Sequence, residues 1–70
     1  MRIRYFEDTD TLLIELSDRS PVETQEVNEN IYLDLDDDGR VVSMTIEHAS
    51  LSVNVGELFY QRVMAGRMTP

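Results

Sequence analysis

The sequence predicts an α+β domain: an antiparallel sheet of four to five strands with one C-terminal helix packed on its apolar face. Three observations carry this expectation. Four stretches alternate apolar and polar residues with period two, as half-buried strands do. Turn-forming clusters separate them, "EDTD" between the first pair and "DDGR" between the second. Beyond residue 50 the apolar spacing becomes that of a helix. The chain reads as one small domain over 1–70, with the hairpin sheet in 1–50 and the helix in 53–66.

The first two strands are "RIRYF" and "TLLIEL". Setting Phe6 against Thr11 across the four-residue loop places Tyr5 by Leu12, Ile3 by Ile14 and Arg2 by Glu15. One face then holds Ile3, Tyr5, Leu12, Ile14 and Leu16, and a one-residue slip would turn the whole set to solvent. "SDRSP" breaks the pattern, because Pro21 has no N–H to give a ladder. "VETQEV" comes next as a short edge strand whose charges discourage stray pairing.

The second hairpin joins "IYLDLD" to "VVSMTIE", with Gly39 supplying the positive φ of the turn. Pairing Asp36 with Val41 sets Leu35 against Val42, Leu33 against Met44 and Ile31 against Ile46. Asp34, Asp36, Ser43, Thr45 and Glu47 then point to the other face. Further on, Asn54 and Glu57 have the spacing of a capping box, and Val53 and Leu58 that of a hydrophobic staple. Val55, Leu58, Phe59 and Val63 form the helical stripe. Gly66 suits C′, and Arg62 and Arg67 suit the negative end of the helix dipole.

Composition narrows the function classes. Fourteen acidic residues face six arginines, with no lysine, for a net charge of −8. Nucleic-acid binding depends on cations that displace counterions from phosphate, so this balance opposes it. An acidic surface suits a basic protein partner, and it also serves solubility. The absence of cysteine removes disulfides and thiol chemistry. No apolar run exceeds three residues, Leu12-Leu13-Ile14 being one, and "MRIRYFEDTD" lacks the apolar core of a secretory signal. A soluble cytoplasmic protein with no cofactor is expected.

"DLDDDGRVV", Asp34 to Val42, has the D-x-D-x-D-G spacing of a calcium loop. Position 12 of such a loop must be a bidentate Glu, and here it is Thr45. The flanks alternate as strands rather than helices. An acidic turn is therefore expected and no dedicated metal site, with Asp34, Asp36 and Asp38 the residues that would give weak divalent-ion contacts. His48 is the lone histidine, without a Cys or second His to share a metal, and a strand-end position is expected for it. Ser43, Ser50 and Ser52 sit in no nucleophile motif. No enzyme activity is expected.

Four apolar residues fall opposite the apolar face: Phe6 and Leu13 on the first hairpin, Tyr32 and Val41 on the second. They are the candidates for a homodimer interface that enlarges a small core. Asp34, Asp36, Asp37 and Asp38 are the candidates for a face toward a basic partner.

The segments "YFEDTDTLLIELSD", "PVETQEV" and "IYLDLDDDGRVVSMTIEHAS", in this order, resemble a family of small bacterial proteins known as domain of unknown function 2283. The resemblance spans Met1 to about Ser50. Phe6 stands where an Asp is usual, Leu13 where Tyr is common, and "IEHAS" replaces the more frequent "ILDAS". Family members are similar in size to antitoxins, and some look like neighbours of small toxin-like genes. The resemblance thus implies a binding module. The expected function is an acidic, self-associating protein-interaction domain, antitoxin-like toward a basic partner; the alternative is a weak divalent-metal or small-ligand binder using Asp34–Asp38.

Overall fold

The computed structural model describes residues 1–64. Five strands form: β1 (Arg2–Phe6), β2 (Thr11–Glu15), β3 (Glu23–Asn28), β4 (Ile31–Leu35) and β5 (Val41–Glu47). They make one antiparallel sheet in the order β1-β2-β5-β4-β3. The β1–β2 register is the expected one, with Arg2 opposite Glu15, Ile3 opposite Ile14, Tyr5 opposite Leu12 and Phe6 opposite Thr11. Alternation explains why it holds, since any slip would expose Leu12, which is buried.

Pairing of β2 with β5 joins the two hairpins through Leu12–Ile46 and Ile14–Met44. Strand β4 extends the same rows through Ile31–Ile46 and Leu33–Met44. The core gathers on this apolar face around Leu12, Ile46 and Ala49, with Ile3, Tyr5, Ile14, Ile31, Met44, Val53 and Val55 packed against them.

Two expectations are corrected. First, the domain is nearly all β. Among the described residues no α-helix forms, and the one helical element is a single 3₁₀ turn, Ala49–Leu51. The capping box expected at Asn54 and Glu57 does not form, and the two residues close a local turn instead, with the Glu57 N–H donating to Asn54 O at 3.3 Å. The Asn54 side chain donates to Glu57 Oε1 at 3.0 Å, and the Gly56 N–H donates to Asn54 Oδ1 at 3.3 Å. Those contacts close one turn, and no helix grows from it. Val53 and Val55 are half-buried on either side of exposed Asn54, an alternation that no α-helical stripe would give. Helix nucleation is costly, and a segment this short with Gly56 near its start needs packing to repay that cost. The valines already hold the packing contact from the bend and turn, and Leu58 and Phe59 of the expected stripe stay exposed. Gly66 and Arg67 lie outside the described residues.

Second, the β4–β5 register changes at its acidic end. Leu35 lies opposite Val41, not Val42, and Val42 is the extra residue of a β-bulge. Val42 and Ser43, adjacent in sequence, are both buried as a result. Asp36 was expected on the solvent face and instead is only 4% exposed. Its backbone closes the turn, with the Gly39 N–H donating to Asp36 O at 3.0 Å and the Asp36 N–H to Arg40 O at 2.9 Å. Gly39 adopts φ 79°, which a side chain would disfavour.

Candidate functional site

The sheet order determines what meets at the acidic turn. Strand β2 ends beside the start of β5, and β3 begins beside the end of β4. The connection over residues 16–22 must therefore pass the β4–β5 turn. It is held there by the Leu16 N–H donating to Val42 O at 2.8 Å and the Val22 N–H donating to Leu35 O at 2.8 Å. Arg19, midway along, meets the aspartates. Its Nε lies 2.8 Å from Asp36 Oδ2, and its terminal nitrogen lies 3.3 Å from Asp38 Oδ2 and 3.7 Å from Asp37 Oδ1.

Asp36 organises this corner. Its Oδ1 accepts from the Asp38 and Arg40 backbone N–H groups, both at 2.9 Å. The bond from Arg40 is the main reason its carboxyl is held below the usual range, with burial opposing and the Asp38 bond and the Arg19 charge assisting. Among the described residues Asp36 Oδ2 receives no hydrogen bond; the 2.8 Å approach of Arg19 Nε is a charge contact whose N–H direction misses the oxygen. Oxygens of Asp36, Asp37 and Asp38 lie within 4.8 Å of one another, the spacing that a cation needs, and the chain's own guanidinium sits against them.

Asp34 is not part of this cluster. It stands on the polar face between neighbouring strands, accepting from Thr24 Oγ1 at 2.7 Å and Ser43 Oγ at 2.9 Å. The structure thus brings Asp36 and Asp38 together and places Asp34 elsewhere.

Phe6, Leu13 and Tyr32 share the polar face. Leu13 and Tyr32 each lie opposite Thr45, which separates them by two strand spacings, or about 9.6 Å. Tyr32 leans toward the β3–β4 turn, donating to Glu29 O at 3.2 Å. Burial raises its phenol pKa, and Glu47, Glu26 and Glu29 add to the effect. Phe6 lies at the strand end, with the Arg4 guanidinium 5.7 Å from its ring centroid. Arg4 also pairs with Glu15 at 3.2 Å. Val41 is at the bulge, 36% exposed.

The opposite end of the sheet is closed by Asp10. Its carboxylate accepts from the Tyr5 hydroxyl at 2.6 Å, the Ser50 N–H at 3.0 Å and the Ser50 hydroxyl at 2.7 Å. The Tyr5 bond contributes most to holding the Asp10 carboxyl below its ordinary value, and the same bond raises the Tyr5 phenol. The Ala49 N–H donates to Asp10 O at 2.9 Å, so the 3₁₀ turn is pinned over the core. Asp10 and His48 both have left-handed backbones, at φ 56° and 54°. His48 directly succeeds β5, and its Nδ1 lies 3.1 Å from Asn30 Oδ1.

That pinned turn covers only part of the apolar face. Across four strands the register aligns Ile3, Ile14, Met44 and Leu33 in one row, and all four remain half-buried. Beside Ile3, the residues Met1, Ile3, Leu58, Phe59 and Tyr60 line an apolar groove of about 470 Å³. Leu58, Phe59 and Tyr60 are 68%, 86% and 71% exposed.

Sequence reasoning missed Arg19, Asp10, Ser50 and the 58–60 segment. Arg19 stands out in the sequence as the only cation between residues 5 and 39, but the sheet order decides that its loop passes the acidic turn. The partnership of Asp10 with Ser50 had no local signal, because the two residues are 40 positions apart.

Among the described residues no helix is long and apolar enough to cross a membrane. Searches of curated proteins and of solved structures find no match to the chain. The profile of a family described as "Protein of unknown function (DUF2283)" matches residues 2–50, which takes in all five strands and the Asp10–Ser50 contact. The chain belongs to the DUF2283 family.

Proposed function

We propose that the chain is an acidic protein-interaction domain whose partner completes a one-layer sheet. The observation that carries this reading is the half-buried Ile3–Ile14–Met44–Leu33 row. A sheet with one apolar face is stable when a second layer covers it, and among the described residues Ala49, Val53 and Val55 are what packs over the core from within the chain. No catalysis is assigned to it. A cysteine-free chain also suits the reducing cytoplasm.

The finer form of the proposal is an antitoxin-like role toward a basic protein. The net charge of −8 supports it, as do the exposed Glu26, Glu29 and Glu47 around Tyr32. Asp36, Asp37 and Asp38 are weaker candidates for that contact, since Arg19 already offsets their charge. The same arginine weighs against the divalent-ion alternative.

Affinity purification of the tagged chain at low salt, with mass spectrometry, tests the reading. One stoichiometric partner, or a self-associated chain, is the expected result. Recovery of a monomer alone, at every concentration, would remove the proposal.

A further inference from the structure

We infer that the surface completing the sheet is a second copy of this chain, docked through the Ile3–Ile14–Met44–Leu33 row and the Leu58–Phe59–Tyr60 segment beside it. This inference rests on the interaction reading above and names its partner.

Charge placement selects the occupant. On the apolar face the four strands β1, β2, β5 and β4 contribute Ile3, Tyr5, Leu12, Ile14, Met44, Ile46, Ile31 and Leu33. None of these is charged; the one carboxylate a strand brings to this face is Glu23 of β3, opposite Leu35 at the sheet edge farthest from β1, so a basic partner docked on the row and the 58–60 segment finds no carboxylate beside it. A copy of the same face meets it with matching chemistry, and a closed two-fold pairing uses one patch twice.

The available area is sufficient. Met1, Leu58, Phe59 and Tyr60 are 73%, 68%, 86% and 71% exposed. With the half-buried row they present on the order of 800 Å² of apolar surface, about what each partner contributes to a standard stable interface. The 58–60 segment lines one groove with Met1 and Ile3 and leaves most of its surface open, so it has a free side to offer the second copy.

The sign of the salt response separates this partner from a basic one. Two copies each carry −8, with the carboxylates of β1, β2, β4 and β5 off the buried face. Their repulsion is screened by salt, so self-association tightens as ionic strength rises. A complex with a basic protein loosens under the same change.

Light scattering of the full chain at micromolar concentration, over a salt series, is the test. The expected mass is twice the 8.1 kDa of one chain, with the dissociation constant falling as salt is added. The double variant Phe59→Asp, Tyr60→Asp is expected to weaken the dimer at least tenfold while leaving the far-ultraviolet spectrum unchanged, since both side chains are exposed. Phe6→Asp, on the polar face, should leave the dimer intact. A dimer that ignores the double variant, dissociates on Phe6→Asp, or loosens with salt would overturn the inference. A monomer that still captures a basic host protein overturns the second-copy inference and leaves the interaction reading standing; a monomer that captures nothing overturns both.

Discussion

Asp10 and Ser50, at opposite ends of the family-matched region, meet through two hydrogen bonds, one to each carboxylate oxygen, at 3.0 and 2.7 Å. The contact ties the β1–β2 turn to the 3₁₀ turn and holds Ala49, which is fully buried, over Leu12 and Ile46. Asp10→Ala removes both acceptors and places alanine at φ 56°, so it should lower the melting temperature by several degrees. Asp10→Asn, which keeps one oxygen acceptor and tolerates that backbone, should lose less. Thermal melts of the two variants, with amide exchange at Ser50, check the order; equal losses would contradict the account.

Acid stability depends on the same carboxylate and on Asp36. Both are held below their ordinary value in the folded chain, Asp10 chiefly by the Tyr5 hydroxyl and Asp36 chiefly by the Arg40 N–H. A depressed folded pKa means the unfolded chain takes up protons first, so the stabilisation is fully present above the ordinary carboxylate value near 3.8. It is then lost as pH falls through the lower, folded values. Urea midpoints should be flat with respect to these two groups above about pH 5 and drop below about pH 4. Asp10→Asn should flatten that drop in part, and an unchanged profile would count against the assignment.

Arg19 is the internal counter-ion of the acidic turn. Arg19→Gln leaves Asp36 Oδ2 buried without its arginine and takes the counter-ion from three clustered carboxylates. The variant should be less stable than the parent, because an unpaired buried charge is costly. It should also gain weak calcium binding, read as saturable amide shifts at Asp36–Gly39 at millimolar ion, where the parent shows none. Saturable binding by the parent at micromolar ion would instead make the turn a metal site.

The sheet was legible in the sequence because its information is repeated. In β1–β2, Ile3 against Ile14, Tyr5 against Leu12 and Arg2 against Glu15 are independent pairs that agree on one register. The bulge was not legible, since Val41 and Val42 are interchangeable by alternation alone and only the buried Asp36 turn selects between them. The helix failed for a different reason. Asn54 and Glu57 have the spacing of a helix start but bond each other in a single closed turn, and any further turn depends on packing that local spacing does not encode. Of the candidate site, the acidic turn was visible, while Arg19's place in it depended on the sheet order.

The central strand of this sheet is the last to be made. Both β2 and β4 pair with β5, and until residues 41–47 have been synthesised the two halves have nothing to join them. The emerging chain is limited to two local ribbons, β1–β2 and β3–β4, whose apolar rows ending in Leu12, Ile14, Ile31 and Leu33 face solvent. Neither ribbon is stable alone in water. Closure then spans from Thr11 to Glu47, a long loop that makes the final step the slow one. A chain without residues 41–47 therefore has no way to join its two halves, and one that extends through Ser50 can both close its sheet and lock it through Asp10.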